Sequence, residues 1–273
     1  MPPHTPLARR RPVATFVALA YAWSWSAWGL AAALPGSAAG TLAYYAGGFG
    51  PALAAAATLA LAGRPLRPWL SGLLVWRCGP RAWAAALLLP PAVVAAVTAG
   101  FAALGGPVEP ALLPDRLAAW APSFVVLALI GGGNEEPGWR GLAQPELQRR
   151  LHPAAATALL GLVWALWHAP LLLASSELRA ALTPATLALA AGITLLSITL
   201  HAFWYAWLWN RTRSLLLCVL LHGGWNAANG TIPVRPEALT GETYLALLSL
   251  MTAALAVTVA ALLLATRGRL GAS

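Results

Sequence analysis

Long apolar stretches alternate along the chain with short segments rich in arginine, proline and glycine. The apolar stretches run for about 20 residues without the strict alternation of apolar and polar positions that marks a strand, which favours transmembrane helices. Breaking the chain at the charged, proline and glycine clusters predicts eight helices, at residues 13–34, 42–62, 82–104, 117–142, 153–174, 184–209, 214–232 and 244–266. The pattern therefore predicts an all-α, polytopic membrane protein with about eight transmembrane helices.

Composition agrees with a membrane location. Hydrophobic residues make up 59% of the 273 positions and charged residues 9%, whereas a soluble domain carries about 25% charged residues. A surface with so few charges suits hydrocarbon, where helices satisfy the backbone polar groups internally. The sequence has no segment of soluble character, so we expect residues 1–273 to form a single membrane domain.

The basic residues indicate an orientation. The formal net charge is +9 and every basic residue is arginine. With eight spans, one side of the membrane holds thirteen of them: Arg9, Arg10, Arg11, Arg64, Arg67, Arg77, Arg81, Arg149, Arg150, Arg211, Arg213, Arg267 and Arg269. The other side holds three arginines and five acidic residues: Arg116, Arg179, Arg235, Glu109, Asp115, Glu177, Glu237 and Glu242.

The positive-inside rule then places both termini in the cytoplasm. The composition, rich in alanine and arginine, favours a bacterial protein, and so a multi-pass protein of the bacterial cytoplasmic membrane. Because the arginines separate apolar stretches and do not form one soluble basic face, we expect no nucleic-acid partner.

A few ionisable or amide side chains fall inside the predicted spans, where each charge costs at least about 2.5–3.5 kcal/mol and marks a candidate site. They are Glu135, Glu136 and Arg140 in the fourth span, His168 in the fifth, His201 in the sixth, and His222 and Asn226 in the seventh. Helical rise from the arginine loops places Glu135, His168 and Asn226 at depths of about 20–27 Å and His222 at about 14 Å. Side chains from three helices can therefore share one layer.

Helical spacing adds detail to this layer. Glu136 and Arg140 are four residues apart and can form an ion pair, while Glu135 points about 100° away from Glu136. His222 and Asn226 share a helix face by the same spacing. Glycines at 131–133 and Pro137 flank the acidic pair, which indicates either a helix break lining a wet cavity or close packing through small residues.

Three short motifs contain these residues. Glu135 to Arg140 reads EExxxR, Trp164 to His168 reads [FW]xxxH, and His222 to Asn226 reads HxxxN. In this order and on separate helices, they resemble the motifs of the CPBP family, which comprises CAAX proteases and bacteriocin-processing (Abi) proteins. The resemblance covers about residues 117–232.

The resemblance implies an intramembrane endopeptidase whose cavity lies among helices 4, 5, 6 and 7, opens to the cytosol and cuts a peptide bond near the cytoplasmic membrane face. Glu135 would be the general base, His168 would hold the attacking water, and His222 with Asn226 would stabilise the oxyanion. Glu136, Arg140 and Trp164 would support the site, and Trp164 in place of the commoner phenylalanine should be harmless. His201 lies outside the motifs and either lines the cavity or makes a structural hydrogen bond.

Several alternatives stay open. The resemblance favours a metal-free mechanism without a cofactor, but Glu135, His168 and His222 could in principle bind zinc. The expected partners are a peptide or protein substrate, with or without a lipid modification, and membrane lipids. A catalytically silent immunity or scaffolding protein of the same fold is the second reading, and a transporter or proton relay is the third.

Overall fold

A computed structural model describes residues 6–174 and 182–272, and these residues form helices and short connections. No β-strand occurs within these two ranges, which confirms the all-α prediction. Glu177 and Arg179, assigned above to one connecting loop, lie outside the described residues.

The helices occupy most of the described chain. They are α1 (Pro6–Arg10), α2 (Pro12–Ala33), α3 (Ala38–Gly48), α4 (Gly50–Leu61), α5 (Arg67–Leu70), α6 (Pro80–Ala103), α7 (Leu113–Ile130), α8 (Glu136–Gly138), α9 (Gln144–Gln148), α10 (Pro153–Trp167), α11 (Ala169–Ala174), α12 (Pro184–Thr212), α13 (Leu215–Asn229) and α14 (Gly241–Thr266). Short 3₁₀ turns lie at Ser71–Leu74, Pro110–Leu112, Gly133–Glu135 and Pro236–Ala238, and a π-helical turn lies at Trp139–Ala143.

Local sequence sets the ends of the last three helices. The side chains of Thr183, Ser214 and Thr240 each accept a hydrogen bond from a backbone N–H in the first turn of α12, α13 and α14. These caps satisfy donors that the helix itself leaves free. Arg213 and Arg267, with φ of 55° and 51°, end α12 and α14 in the left-handed conformation.

Three of the predicted spans are interrupted. The span predicted at 42–62 consists of α3 and α4, which are separated at Phe49 and have Pro51 in the first turn of α4. The span predicted at 117–142 breaks after Ile130. The span predicted at 153–174 breaks at His168. The glycines and Pro137 had indicated the break in the fourth span, whereas the breaks at Phe49 and His168 were not predicted.

Four stretches are long and apolar enough to cross a membrane: Pro80–Ala103, Pro110–Gln148, Pro184–Thr212 and Gly241–Thr266. Of the other helices, α2 has 22 residues and α13 has 15, so α13 extends about 22 Å against a hydrocarbon core of about 30 Å. The chain is therefore a multi-pass helical membrane protein, and the count of eight spans stays a prediction.

The helices pack in sequence-adjacent and distant pairs. Helix α2 contacts α3 and α4, α10 contacts α12, α12 contacts α14, and α13 contacts both α6 and α7. Large side chains fill the centre, including Trp139, Trp167 and Tyr205, each with no exposed surface. This centre lies around the polar residues singled out from the sequence.

Direct contacts show that the arginine-bearing segments meet at one end of the bundle, which we call the arginine-rich end. Arg9 donates to the Ala62 carbonyl over 3.0 Å, Arg64 pairs with Glu146, and Asn210 donates to the Leu270 carbonyl over 3.1 Å. Residues of four such segments also line one cavity of about 600 Å³: Arg64, Glu146, Arg149, Arg213 and Ala272.

The opposite end, the arginine-poor end, is joined by its own contacts. Arg235 pairs with Glu109 over 2.9 Å, and the Glu109 N–H donates to the Pro233 carbonyl over 2.8 Å. Arg116 donates to the carbonyls of Gly230 and Val234. Loops assigned to opposite sides from the sequence thus gather at opposite ends of the described structure.

Candidate active site

The site forms where the fourth predicted span loses its α-helical geometry. Helix α7 ends at Ile130, Gly132 adopts φ +134°, and a 3₁₀ turn over Gly133–Glu135 leads into α8. The π-helical turn Trp139–Ala143 follows before α9. Glycine allows the positive φ that a side chain would disfavour. The chain therefore presents Glu135 and Glu136 from an irregular segment at membrane depth.

Glu135 is held on one side by two tryptophans. Its Oε2 accepts a hydrogen bond of 2.7 Å from the Trp164 indole and one of 3.3 Å from the Trp139 indole. The residue is 6% exposed and lines a cavity. Since both indoles bind the same oxygen, no hydrogen bond from the described residues engages Oε1. One carboxylate oxygen is anchored, and the other is free to bind a ligand or water.

Glu136 lies at the centre of a buried charged triad with Arg140 and His222. Its Oε1 accepts from Arg140 Nη1 over 3.2 Å and from His222 Nδ1 over 2.7 Å. Glu136 and Arg140 have no exposed surface, and His222 is 4% exposed. Because an ionised carboxylate only accepts hydrogen bonds, Nδ1 of His222 carries the proton. The ion pair predicted from the i,i+4 spacing is present.

Two aromatic faces complete the surroundings of Arg140. Its guanidinium carbon lies 4.5 Å from the ring centroid of Trp164 and 4.3 Å from that of Tyr205. Cation–π contacts of this kind lower the cost of a desolvated guanidinium. Trp164 therefore contacts both Glu135, through its indole N–H, and Arg140 of the buried triad, through its ring face.

His168 and Asn226 reach the same cavity as Glu135. His168 stands directly after α10, and its Nδ1 lies 2.9 Å from the Trp164 carbonyl, which leaves Nε2 for the cavity. The Asn226 amide donates to the Gly131 carbonyl over 2.7 Å. This bond joins α13 to the broken segment, and the second amide hydrogen stays available.

The cavity has a volume of about 560 Å³. Besides the fourth to seventh predicted spans, its walls include Trp28 of α2, Tyr44 and Tyr45 of α3, and Leu248 of α14. The prediction that the cavity lies among helices 4 to 7 is therefore incomplete, because the first, second and eighth predicted spans also line it.

Gly132 lies in close contact with two of the predicted oxyanion donors. A Cβ atom built on Gly132 would lie 2.5 Å from Asn226 Nδ2 and 2.6 Å from His222 Nε2. Both distances are too short for any side chain. Gly132 itself lines the cavity, so the donors of Asn226 and His222 lie close to the cavity wall.

His201 lies in an aromatic cluster rather than on the cavity wall. Its ring centroid is 4.5 Å from that of Trp225 and 4.7 Å from that of Tyr205. His201 Nδ1 is 3.4 Å from the Tyr205 hydroxyl, and the residue is 4% exposed. The geometry supports a structural histidine that packs behind Trp225.

The described residues offer no ready set of ligands for a zinc ion. Within the described ranges, no three histidine, cysteine, aspartate or glutamate side chains come together closely enough to hold a metal ion. This includes the combination of Glu135, His168 and His222 considered above.

Two important residues received no role from the sequence. Trp139 binds Glu135, and its position four residues after that acid could have indicated the contact. The sequence indicates Gly132 only as a helix breaker, and its closeness to α13 has no signal in a single sequence.

The cavity lies on the arginine-poor side of the candidate residues. Leu171 follows His168 and Asn229 follows Asn226 in the direction away from the arginine-rich end, and both line the cavity. The orientation of the two ends and the side from which the cavity is entered both stay predictions.

Comparison with known proteins adds to this geometry. Residues 117–228 match the family model described as Rce1-like, type II CAAX prenyl endopeptidase. This segment is similar to the Rce1-like family. The family resemblance inferred from the three motifs is confirmed, and the Rce1-like segment contains every residue from Glu135 to Asn226. No curated protein matches the chain.

Proposed function

We propose that the chain is an intramembrane endopeptidase that uses a glutamate-activated water. The observation that carries the proposal is Glu135, whose Oε2 is fixed by two indoles while the residue lines a cavity shared with His168 and Asn226. The Rce1-like family is one of peptidases, so a peptide or protein substrate in the membrane follows from the match.

In the proposed mechanism, Oε1 of Glu135 takes a proton from a water molecule that His168 Nε2 helps to hold. The hydroxide attacks the scissile carbonyl carbon, and negative charge develops on the carbonyl oxygen. Glu135 then gives the proton to the leaving amine as the C–N bond breaks. General-base catalysis of this type contributes about 10²–10⁴-fold to the rate.

The oxyanion would lie beside Gly132, where Asn226 Nδ2 and His222 Nε2 converge. Glu136 binds Nδ1 of His222, so Nε2 donates to the oxyanion when the ring carries both protons. Glu136 and Arg140 thereby act on the reaction through the orientation of His222. Fixed donors aimed at a developing charge supply a large share of catalysis.

The test begins with membranes from cells that produce the wild-type chain, Glu135→Gln or Glu146→Gln. Glu146 pairs with Arg64 at the arginine-rich end and provides a matched loss of one carboxylate. We expect cleavage products that are present with the wild type and Glu146→Gln and reduced about a hundredfold with Glu135→Gln.

Purified protein and an identified substrate then separate the mechanisms. We propose that no metal is required, so activity should survive chelators; a loss that zinc restores would support the zinc alternative. Membrane peptides identical for wild type and Glu135→Gln would instead support the silent immunity or scaffolding protein.

A further inference from the structure

A second cavity lies at the arginine-rich end, between α2 and the segment that contains α9. We call it the α2 groove. Its volume is about 750 Å³, and it shares no lining residue with the cavity beside Glu135. Sites for small molecules typically measure about 300–1,000 Å³, so the α2 groove is large enough to hold a ligand of its own.

Charged and apolar residues occupy different parts of the α2 groove. Arg11, directly before α2, and Arg150, shortly after α9, line its mouth, whereas Val13, Val17 and Tyr21 follow one another along one stripe of α2. From Arg11 to Tyr21 the helix rises about 15 Å, which is half of a hydrocarbon core of about 30 Å. The α2 groove therefore has the length of one leaflet of a bilayer, with its charges at one end.

The mouth carries positive charge that its one acidic residue does not neutralise. The carboxylate of Glu146 pairs with two arginines outside the groove lining, Arg64 and Arg149, the latter over 3.5 Å. Within the described parts of the chain, no hydrogen bond or ion pair engages the side chain of Arg11 or Arg150. Two guanidinium groups at one opening favour an anionic group, and a phosphate fits their hydrogen-bonding geometry.

The deeper part of the α2 groove suits hydrocarbon. Ala14 and Ala18 leave room along the wall, and Leu147 of α9 faces the groove from the other side. The hydroxyl of Tyr21 donates to the Val163 carbonyl of α10 over 2.6 Å, so its polar atom is already satisfied. A molecule with an anionic head and an apolar tail thus complements both parts, whereas a free phosphate complements the mouth alone.

We infer that the α2 groove binds one anionic phospholipid, with its phosphate between Arg11 and Arg150 and an acyl chain along α2 as far as Tyr21. The lipid then contacts α2 and α9 at once. Phe16 of α2 packs edge-on against Trp139, with ring centroids 5.0 Å apart, so a lipid that holds α2 in place also stabilises the segment of the candidate site.

Lipid binding to the purified full chain tests the inference without a peptide substrate. Native mass spectrometry counts bound lipids as detergent-solubilised protein is titrated with phosphatidylglycerol or with phosphatidylethanolamine of the same acyl chains. We expect one phosphatidylglycerol to bind at least about fivefold more tightly than phosphatidylethanolamine, since a single arginine near a membrane surface accounts for about a fivefold preference.

Variants of the mouth and of the apolar wall locate the lipid. Arg11→Gln and Arg150→Gln should each weaken phosphatidylglycerol binding about fivefold. Arg81→Gln is the matched control, because Arg81 is an exposed arginine of the same end outside the groove, and it should bind like the wild type. Ala18→Trp fills the apolar part and should remove the tight site.

Several results would overturn the inference. Equal affinities of the wild type for the two lipids would indicate unselective contact with bulk lipid. Equal losses in Arg81→Gln and Arg11→Gln would indicate general attraction to a basic surface, and tight binding retained in Ala18→Trp would place the lipid elsewhere.

Glycerol 3-phosphate distinguishes a phospholipid from a phosphate group alone. Because it has no acyl chain, it should not displace phosphatidylglycerol, and displacement at equal concentration would assign the mouth to a soluble phosphate and overturn the inference.

Thermal unfolding provides an independent measurement. Cys218 is fully buried, so its labelling by a thiol dye in a Cys78→Ala background follows unfolding. Phosphatidylglycerol should raise the midpoint in the wild type and in Arg81→Gln, because a ligand that binds the folded state stabilises it. The increase should be absent in Ala18→Trp, and an equal increase there would contradict binding in the α2 groove.

Discussion

At the scale of single residues, Trp164 contributes more than its aromatic ring. The sequence suggested that tryptophan in place of phenylalanine would be harmless, yet the indole N–H donates to Glu135 over 2.7 Å. A hydrogen bond to a charged group contributes about 1.5–3 kcal/mol. Trp164 is thus a positioning residue for the proposed base.

Replacement of that donor gives the first prediction. Trp164→Phe keeps the ring beside Arg140 and removes the N–H, so we expect kcat to fall about tenfold with little change in KM. Steady-state kinetics on an identified substrate measures both constants. Trp204→Phe, which loses a hydrogen bond to Thr258 outside the cavity, should retain its kcat. Equal effects of the two variants would contradict a positioning role.

Single-residue roles were partly readable from sequence. Motif spacing identified Glu135, Glu136, Arg140, His168, His222 and Asn226, and the structure brings them into one region. The i,i+4 rule gave the Glu136–Arg140 pair because both residues share one helix face. The bond from Glu136 to His222 joins positions 86 residues apart, and one sequence carries no local signal for it.

At the scale of elements, the broken fourth span determines where the acids point. Gly132 stands at φ +134°, and its missing side chain leaves room for His222 and Asn226. The sequence indicated a break through its glycines and Pro137. It did not indicate the π-helical turn at Trp139–Ala143, since the choice between helix types depends on the packing of α13 and α4 against this segment.

Gly132→Ala should damage this break. The new Cβ would meet Asn226 Nδ2 and His222 Nε2 at about 2.5 Å, and the strained φ costs about 1–3 kcal/mol. We expect lower stability and loss of cleavage. Gly100→Ala is the control, since no atom lies within 4 Å of its added Cβ in α6, and it should melt at the same or a higher temperature. A fully active Gly132→Ala would contradict the requirement for glycine at this position.

Glu136→Gln should destabilise the same element far more than Glu146→Gln. Arg140 would stay buried without its charged partner, at a cost of about 3–5 kcal/mol, whereas the partly exposed Arg64–Glu146 pair at the arginine-rich end contributes about 0–1 kcal/mol. Cys218 is fully buried, so in a Cys78→Ala background its reaction with a thiol dye during heating in detergent reports unfolding. Similar melting temperatures for the two variants would contradict the importance of the buried pair.

At the scale of the whole molecule, the alternation of loops was the strongest prediction. The arginine-bearing segments contact one another at one end, through pairs such as Arg64–Glu146 and Asn210–Leu270. Hydropathy predicted this arrangement because each apolar stretch returns the chain to the opposite side. Hydropathy could not predict the breaks at Phe49 and His168, because the sequence on both sides of each break is apolar.

Reporter fusions test the orientation of the whole bundle. A protein that fluoresces only in the cytoplasm should be bright when fused after Ser273, and alkaline phosphatase should be active when fused after Leu104. The positive-inside rule gives this outcome because the arginines flank the C-terminal end of α14. A dark C-terminal fusion together with inactive phosphatase would reverse the orientation.

The pairing of Glu136 with Arg140 also bears on how the chain enters the bilayer during synthesis. Both partners lie within one turn of the same segment, so they can neutralise each other before the later helix that carries His222 has been made. The translocon would then insert a segment with one neutral ion pair instead of two separate charges. Each separate charge costs about 2.5–3.5 kcal/mol to insert. The two residues that support the proposed site would in this way also ease the biogenesis of their own helix.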